Sequence, residues 1–215
     1  MTKITEQMQA WMGEFGKKYT ERNALTIGGM EALYERTYGL TRTDLNQRCL
    51  EGIDRSSRIL EVGSNIGTQL ALLQTMGFTN LYGIDLQHYA IELAKSRTHK
   101  INVICASAFD IPFMGESFDL VFTSGVLIHI HPSHISAVMN EIYRCTRNYI
   151  WGLEHYADDY KEVVYRGQKN LLWNVDYKRI YLDLFDDLEL IKDERLKYLE
   201  NDNVDSMFLL RKRPK

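Results

Sequence analysis

Two runs hold the side chains most able to do chemistry. The first is Glu61-Val62-Gly63-Ser64-Asn65-Ile66-Gly67, with Asp85 closing the next apolar run. Lacking a Cβ, Gly63 and Gly67 let the backbone pass close to a ligand that a side chain would strike. A nucleotide lying across such a turn would offer its ribose hydroxyls to the Asp85 carboxylate. The second run is His129-Ile130-His131-Pro132-Ser133-His134. Its imidazoles suit either metal ligation or proton transfer. As general bases for proton removal, the candidates are His129, His155 and Tyr19.

The elements that must position these groups can be read from the hydrophobic pattern. Arg58–Val62 is a short aliphatic run suited to a buried parallel strand. Thr68–Met76 then carries apolar residues at helical spacing, and Leu81–Ile84 forms a second strand ending in Asp85. Strand, glycine turn, helix and strand within about 30 residues make one βαβ unit. His88–Arg97 predicts a helix with Tyr89, Ala90, Leu93 and Ala94 on the face that covers the sheet. Further strands are expected at Ile101–Cys105, Ser117–Ser124 and Tyr149–Leu153, with a helix from Pro132 to about Cys145. Alternation of this kind predicts an α/β chain with a doubly wound parallel sheet. Two more strand-like runs, Leu188–Leu196 and Met207–Arg211, close the chain after a polar, aromatic insertion at about 155–182. Residues 1–50 read as a helical N-terminal cap and 51–215 as the main domain. The cap is either a solvated cover or a lid whose Tyr19 and Arg22 reach the bound molecules.

Glu61-Val62-Gly63-Ser64-Asn65-Ile66-Gly67 resembles the E/D-x-G-x-G-x-G motif of class I S-adenosylmethionine-dependent methyltransferases, with Asn65 in place of the middle glycine. Asn tolerates left-handed backbone angles better than most residues. Ser107-Ala108-Phe109-Asp110-Ile111-Pro112-Phe113 resembles that superfamily's adenine-contacting segment, with Ser107 where an acid is common. The resemblance implies a Rossmann-like sheet of seven strands with the last antiparallel, and S-adenosylmethionine as cofactor. It brings Glu61, Ser64, Asn65, Leu86, Ser107, Ala108, Phe109 and Ser124 into the cofactor set beside Gly63, Gly67, Asp85, Tyr19 and Arg22. The fourth strand ends in Thr123-Ser124-Gly125-Val126 and lacks the N/D-P-P-Y/F signature of enzymes that methylate nucleobase or glutamine nitrogens.

The spacing of His129, His131 and His134 matches the ligand run of binuclear metallo-hydrolases, apart from Ser133 where those enzymes carry Asp. A metal-dependent hydrolase is therefore one alternative, and a cofactor-binding protein without catalysis is another. Against the first, only His155 follows as a later ligand, so no metal is expected.

The flanks add a closer resemblance. Phe15-Gly16, Tyr19-Thr20, Arg22-Asn23, Val126-Leu127-Ile128-His129 and Tyr165-Arg166-Gly167, with Trp173 and Asp176, resemble the pseudaminic acid biosynthesis-associated methylase family. That implies an acidic nine-carbon sugar, or its precursor, as the acceptor. Arg166 would then pair with a carboxylate, and Tyr156 or Trp173 would offer an aromatic face.

The bulk properties set the outer bounds. The chain has 215 residues, 45% hydrophobic and 26% charged, with a net charge of −3. Such a balance gives no field that gathers nucleic acid or anionic lipid. Cys49, Cys105 and Cys145 lie far apart and read as free thiols. With no apolar leader at the N-terminus and no span-length apolar run, a cytoplasmic protein is expected, monomeric or homodimeric, whose partner is a small-molecule acceptor.

Overall fold

The computed structural model describes residues 4–213. Four helices come first: α1 (Glu6–Met12), α2 (Glu14–Arg22), α3 (Ile27–Tyr38) and α4 (Arg42–Leu50). Their starts are set by threonines. The Thr5, Thr26 and Thr41 hydroxyls accept from Met8, Gly29 and Asp44 amides, and Thr41 with Asp44 completes a capping box. Between α1 and α2 the chain turns so tightly that a Cβ on Gly16 would run into the carbonyl group of Trp11.

The βαβ unit forms as expected, with β1 (Arg58–Val62), α5 (Thr68–Thr75), β2 (Asn80–Asp85) and α6 (His88–Arg97). Buried Ala90, Ile91 and Ala94 form the packed face of α6, with Tyr89 and Leu93 at its margin. The face is therefore rotated toward Ile91 from the one the spacing suggested. Then follow β3 (Asn102–Cys105), β4 (Phe118–Ser124), α7 (Ile135–Cys145) and β5 (Thr146–His155). The fifth strand is twice the expected length because the last strand pairs with it from Tyr149 to His155. Short strands β6 (Lys161–Glu162) and β7 (Trp173–Asn174) form their own pair in the insertion. Helix α8 (Tyr177–Leu184) and strands β8 (Leu188–Lys197) and β9 (Val204–Lys212) complete the chain.

The main sheet has seven strands in the order β3-β2-β1-β4-β5-β9-β8. Strands β1 to β5 are parallel, and β9 slots antiparallel between β5 and β8. This is the Rossmann-like methyltransferase sheet with its last strand reversed. Its two faces bury separate apolar layers. Leu60, Val121, Ile150 and Phe208 pack beneath α7 and α8, while Ile59, Leu120, Trp151 and Leu209 pack beneath α4, α5 and α6. The strict alternation of these numbers along β1, β4, β5 and β9 is the period-two signature of strands buried on both faces. Among the described residues, no helix is long and apolar enough to cross a membrane.

Candidate active site

The carboxyl ends of β1, β2 and β4 open into a cleft roofed by α1 and α2. Its floor is the glycine turn. Gly63, Asn65 and Gly67 have φ of +78°, +45° and +75°, so three of five residues are left-handed. The amides of Gly63 and Ser64 donate to the Ile84 carbonyl at 2.8 and 2.9 Å, stitching the turn to the end of β2. Asp85 completes the stitch by accepting from the Asn65 amide (Oδ2, 2.8 Å) and the Gln87 amide (Oδ1, 2.8 Å). Burial pushes its carboxyl above the usual range, against these backbone bonds that favour the ionised form.

Of the residues predicted to hold the cofactor, Gly63, Asn65, Asp85, Leu86, Ser107, Ala108, Phe109, Ser124 and Tyr19 line this cleft. Four others do not. Ser64 turns the other way, its hydroxyl lodged where a Cβ on Gly83 would sit. Gly67 faces α6, where a Cβ would press on Thr98. Glu61 is buried inside β1, its carboxyl raised by that burial and drawn partly back by the Arg42 charge. Arg22 is exposed at the end of α2. The reason for Gly63 also needs correction. A Cβ there would collide with the side chain of Val126, so a protein neighbour already occupies that space.

The cleft meets a second cavity of about 340 Å³, and Tyr19, Ser124, Gly125 and His129 belong to both walls. His129 is half-buried between Trp11 and Tyr165, with ring centroids at 4.4 and 5.4 Å. Its Nδ1–H donates to the Leu171 carbonyl at 2.6 Å, which leaves Nε2 as the open nitrogen. Burial lowers its pKa to about 4, so the ring is neutral near pH 7. His131 instead accepts from the Ser133 amide and caps the following turn. Among the described residues, no three His, Cys, Asp or Glu side chains are grouped to hold a metal.

His155 lines the second cavity, and its Nδ1 lies 2.6 Å from Asp205 Oδ1. The three residues proposed for the acceptor fall elsewhere. Tyr165 and Gln168 exchange two backbone bonds of 2.9 Å, so Arg166 and Gly167 form a two-residue hairpin turn with φ of +50° and +78°. Arg166 is exposed at that tip, and its neighbour Tyr165 is the one that faces the cavity. The Tyr156 ring is covered by the Arg195 guanidinium at 3.6 Å, and its hydroxyl donates to Asp158. Trp173 is buried edge-on to His131. Asp176 caps α8 and pairs with Arg195 at 3.2 Å.

Other site residues carried no legible motif. Gln87 Nε2 donates to the carbonyls of Trp11, Met12 and Gly13 at 2.9, 3.2 and 3.1 Å, tying the roof to the floor. Glu154 is buried at the end of β5 and accepts from the Val126 and Ile128 amides, which fixes the loop after β4. Burial lifts its pKa to about 7. Arg42, fully buried, donates to Tyr34 Oη (2.7 Å) and Ser124 Oγ (3.3 Å) behind the second cavity. The alternation that marked strands could not mark these, since it finds apolar faces and says nothing of which polar side chain is buried.

The sheet, the glycine turn and the acid at the end of β2 form the fold seen in class I S-adenosylmethionine-dependent methyltransferases, an enzyme class whose cofactor is S-adenosylmethionine. Residues 60–149 match the family model described as "Methyltransferase domain". The O-methyltransferase rstn1 of Aspergillus nomiae is 32% identical over 82 residues, 35% of this chain and 36% of that protein. A second curated relative, from Haemophilus influenzae, is also 32% identical over 82 residues, 35% of this chain and 33% of its own length, so the match spans about a third of each relative. The 1,6-didemethyltoxoflavin-N1-methyltransferase of Burkholderia thailandensis, solved with 1,6-didemethyltoxoflavin and S-adenosylhomocysteine, superposes with a TM-score of 0.74. It shares 14% identity over 100% of this chain and 92% of its own. The [4+2]-cyclase SpnF gives a TM-score of 0.64 at 14% identity, covering 80% of each chain.

The residues present fit this cofactor. Asn65 Oδ1 is a buried acceptor in the cleft wall without a protein partner. Beside it Asp85 ends β2, and Leu86, Ala108 and Phe109 add apolar wall of the kind that suits a flat base.

Proposed function

We propose that the protein transfers the methyl group of S-adenosylmethionine to a small acceptor seated in the second cavity. One observation carries the reading: the cleft floored by the glycine turn and the aromatic cavity share a wall at Tyr19, Ser124, Gly125 and His129. A reaction between two bound molecules needs such a meeting point, because alignment is most of what the protein must contribute. When bound, the cofactor supplies an electrophilic methyl group on a sulfonium. Asp85 would accept from the ribose hydroxyls, and Leu86, Ala108 and Phe109 would flank the adenine. Helices α1 and α2 act as the lid, with Tyr19 reaching inward and Arg22 remaining in solvent, while α4 belongs to the core layer over the sheet.

The finer reading from the flanking motifs, an acidic nine-carbon sugar or its precursor, rests on those motifs alone. Its carboxylate would need a cation, and among the described residues lining the two cavities none is Lys or Arg. A second reading, cofactor binding without methyl transfer, is favoured by the fold shared with a cyclase. Calorimetry with S-adenosylhomocysteine tests the first half of the proposal. Micromolar binding that is lost in Asp85→Ala is expected, and no binding by the wild-type protein would overturn it. Labelled cofactor incubated with acceptor pools, read by mass spectrometry, then separates transfer from binding alone.

A further inference from the structure

The second cavity is built around a hydrogen-bonded cluster drawn from three elements and the loop after β8. Asp205 on β9 is 5% exposed and accepts on both oxygens. His155 at the end of β5 holds Oδ1 at 2.6 Å, while Tyr38 of α3 and Tyr198, just beyond β8, donate to Oδ2 at 2.6 and 3.2 Å. With its Nδ1 bound to the carboxylate, His155 presents Nε2 as the acceptor nitrogen.

Several other polar groups of the wall are already engaged. The Tyr34 hydroxyl and Ser124 Oγ accept from Arg42, and the Thr37 hydroxyl donates to the Leu33 carbonyl. His129 Nδ1 is held by Leu171. Much of the remaining surface is carbon, from Leu33, Ile128, Leu153, Leu172 and the rings of Tyr34 and Tyr165. A polyhydroxylated molecule would lose water here and find few partners in return. A flat ring carrying one polar substituent would stack on tyrosine and keep its single hydrogen bond.

Resting on the methyltransferase reading above, we infer that the acceptor is an uncharged ring compound with an acidic hydroxyl, a phenol or an enol, and that His155 is its base. In this step the acceptor O–H bond breaks and the proton bonds to His155 Nε2. The electron pair left on oxygen forms the bond to the methyl carbon as that carbon's bond to the cofactor sulfur breaks, the sulfur keeping its pair and leaving as a thioether. Asp205 is a positioning residue: it fixes the ring's tautomer and balances the imidazolium. Burial pulls the His155 pKa down, but the Asp205 hydrogen bond and charge, with Glu154 beside it, outweigh burial and raise it. The other titratable groups facing this ring are Tyr38, Tyr198 and His129.

The test uses the full chain saturated with S-adenosylhomocysteine, with 4-nitrophenol as probe and 4-nitrobenzoate as its charged counterpart. At a pH where free 4-nitrophenol is protonated, binding should bring up the phenolate absorbance band. His155→Gln should abolish the band, and the conservative Asp205→Asn should reduce the phenolate fraction about tenfold, as one pKa unit lost from the base would. Both variants should bind S-adenosylhomocysteine as the wild type does, with circular dichroism confirming the fold. Tighter binding of 4-nitrobenzoate would overturn the uncharged class, and binding of neither probe would overturn the ring class. A band that survives His155→Gln and disappears in His129→Gln would assign the base to His129 instead. Failure of S-adenosylhomocysteine itself to bind would sink the methyltransferase reading, and the inference with it.

Discussion

Gly63 and Val126 meet across the mouth of the cofactor cleft, and a Cβ on Gly63 would occupy the place of the Val126 side chain. Two costs therefore fall on any substitution at Gly63. The residue sits at φ +78°, which costs a side chain about 1–2 kcal/mol, and the collision adds to it. Gly63→Ala is expected to lower the melting temperature by several degrees and to weaken cofactor binding. Pairing it with Val126→Ala should return part of the lost stability by removing the collision. If the double variant melts below Gly63→Ala alone, Val126 is not what the glycine accommodates.

Asp85 shows how the site depends on pH. Its folded pKa lies above the usual carboxylate range because of burial. Protonation removes lone pairs needed by the Asn65 and Gln87 amides and by any ribose hydroxyl. Affinity for S-adenosylhomocysteine should fall as pH drops through this raised value. Asp85→Asn should flatten that dependence and weaken binding by roughly 1.5–3 kcal/mol, the scale of hydrogen bonds to a charged group. An unchanged affinity, or an unchanged pH profile, would place the ribose elsewhere.

Glu154 makes the opposite kind of prediction, one about the fold without ligand. Its pKa rises on folding, to about 7, chiefly through burial. Between the usual carboxylate range and about 7 the folded state therefore holds a proton that the unfolded chain releases. Stability contributed by this group is present below the unfolded pKa and declines as pH rises through about 7. Thermal melts of the ligand-free protein should lose that contribution between pH 5 and pH 8. Glu154→Gln should abolish that part of the slope while keeping an acceptor for the Val126 and Ile128 amides. A slope that persists in the variant would belong to Asp85 or Glu61.

Much of the fold was legible because each strand obeys one rule. Arg58–Val62 and His88–Arg97 were read with the bounds they have, since buried parallel strands and capped helices leave local marks. The βαβ turn and Asp85 were legible for the same reason. The aromatic cavity was not. Tyr38 and Asp205 are 167 residues apart and meet only because β9 is inserted beside β5. Arg166 misled in a related way, since Tyr-Arg-Gly-Gln carries no Asn-Gly or Asp-Gly signal for the tight hairpin it forms. The resemblance implies that it pairs with an acceptor carboxylate, whereas two left-handed residues put it at an exposed tip.

Gln87 supports the last prediction, because its partners are all main-chain atoms and its own position lies two residues past Asp85. The residue does three jobs: its side-chain Oε1 caps α6 by accepting from the Tyr89 amide, its side-chain amide group reaches the α1–α2 turn, and its backbone amide, which alanine would keep, donates to Asp85. The three carbonyls it reaches belong to Trp11, Met12 and Gly13, the turn that brings Trp11 against His129. Removing the side chain should leave the sheet intact, since the two apolar layers do not include it. Gln87→Ala should therefore keep its circular dichroism spectrum yet free the roof, speeding hydrogen exchange in residues 6–22 relative to β1 and β4. Cofactor affinity should fall about tenfold, because a roof that spends time open must be closed again by the ligand. Gln87→Glu keeps an acceptor for the Tyr89 amide but turns a charge toward three carbonyls, so it should loosen the roof more than alanine does. Equal exchange in all three proteins would show that α1 and α2 stay in place through their aromatic contacts alone.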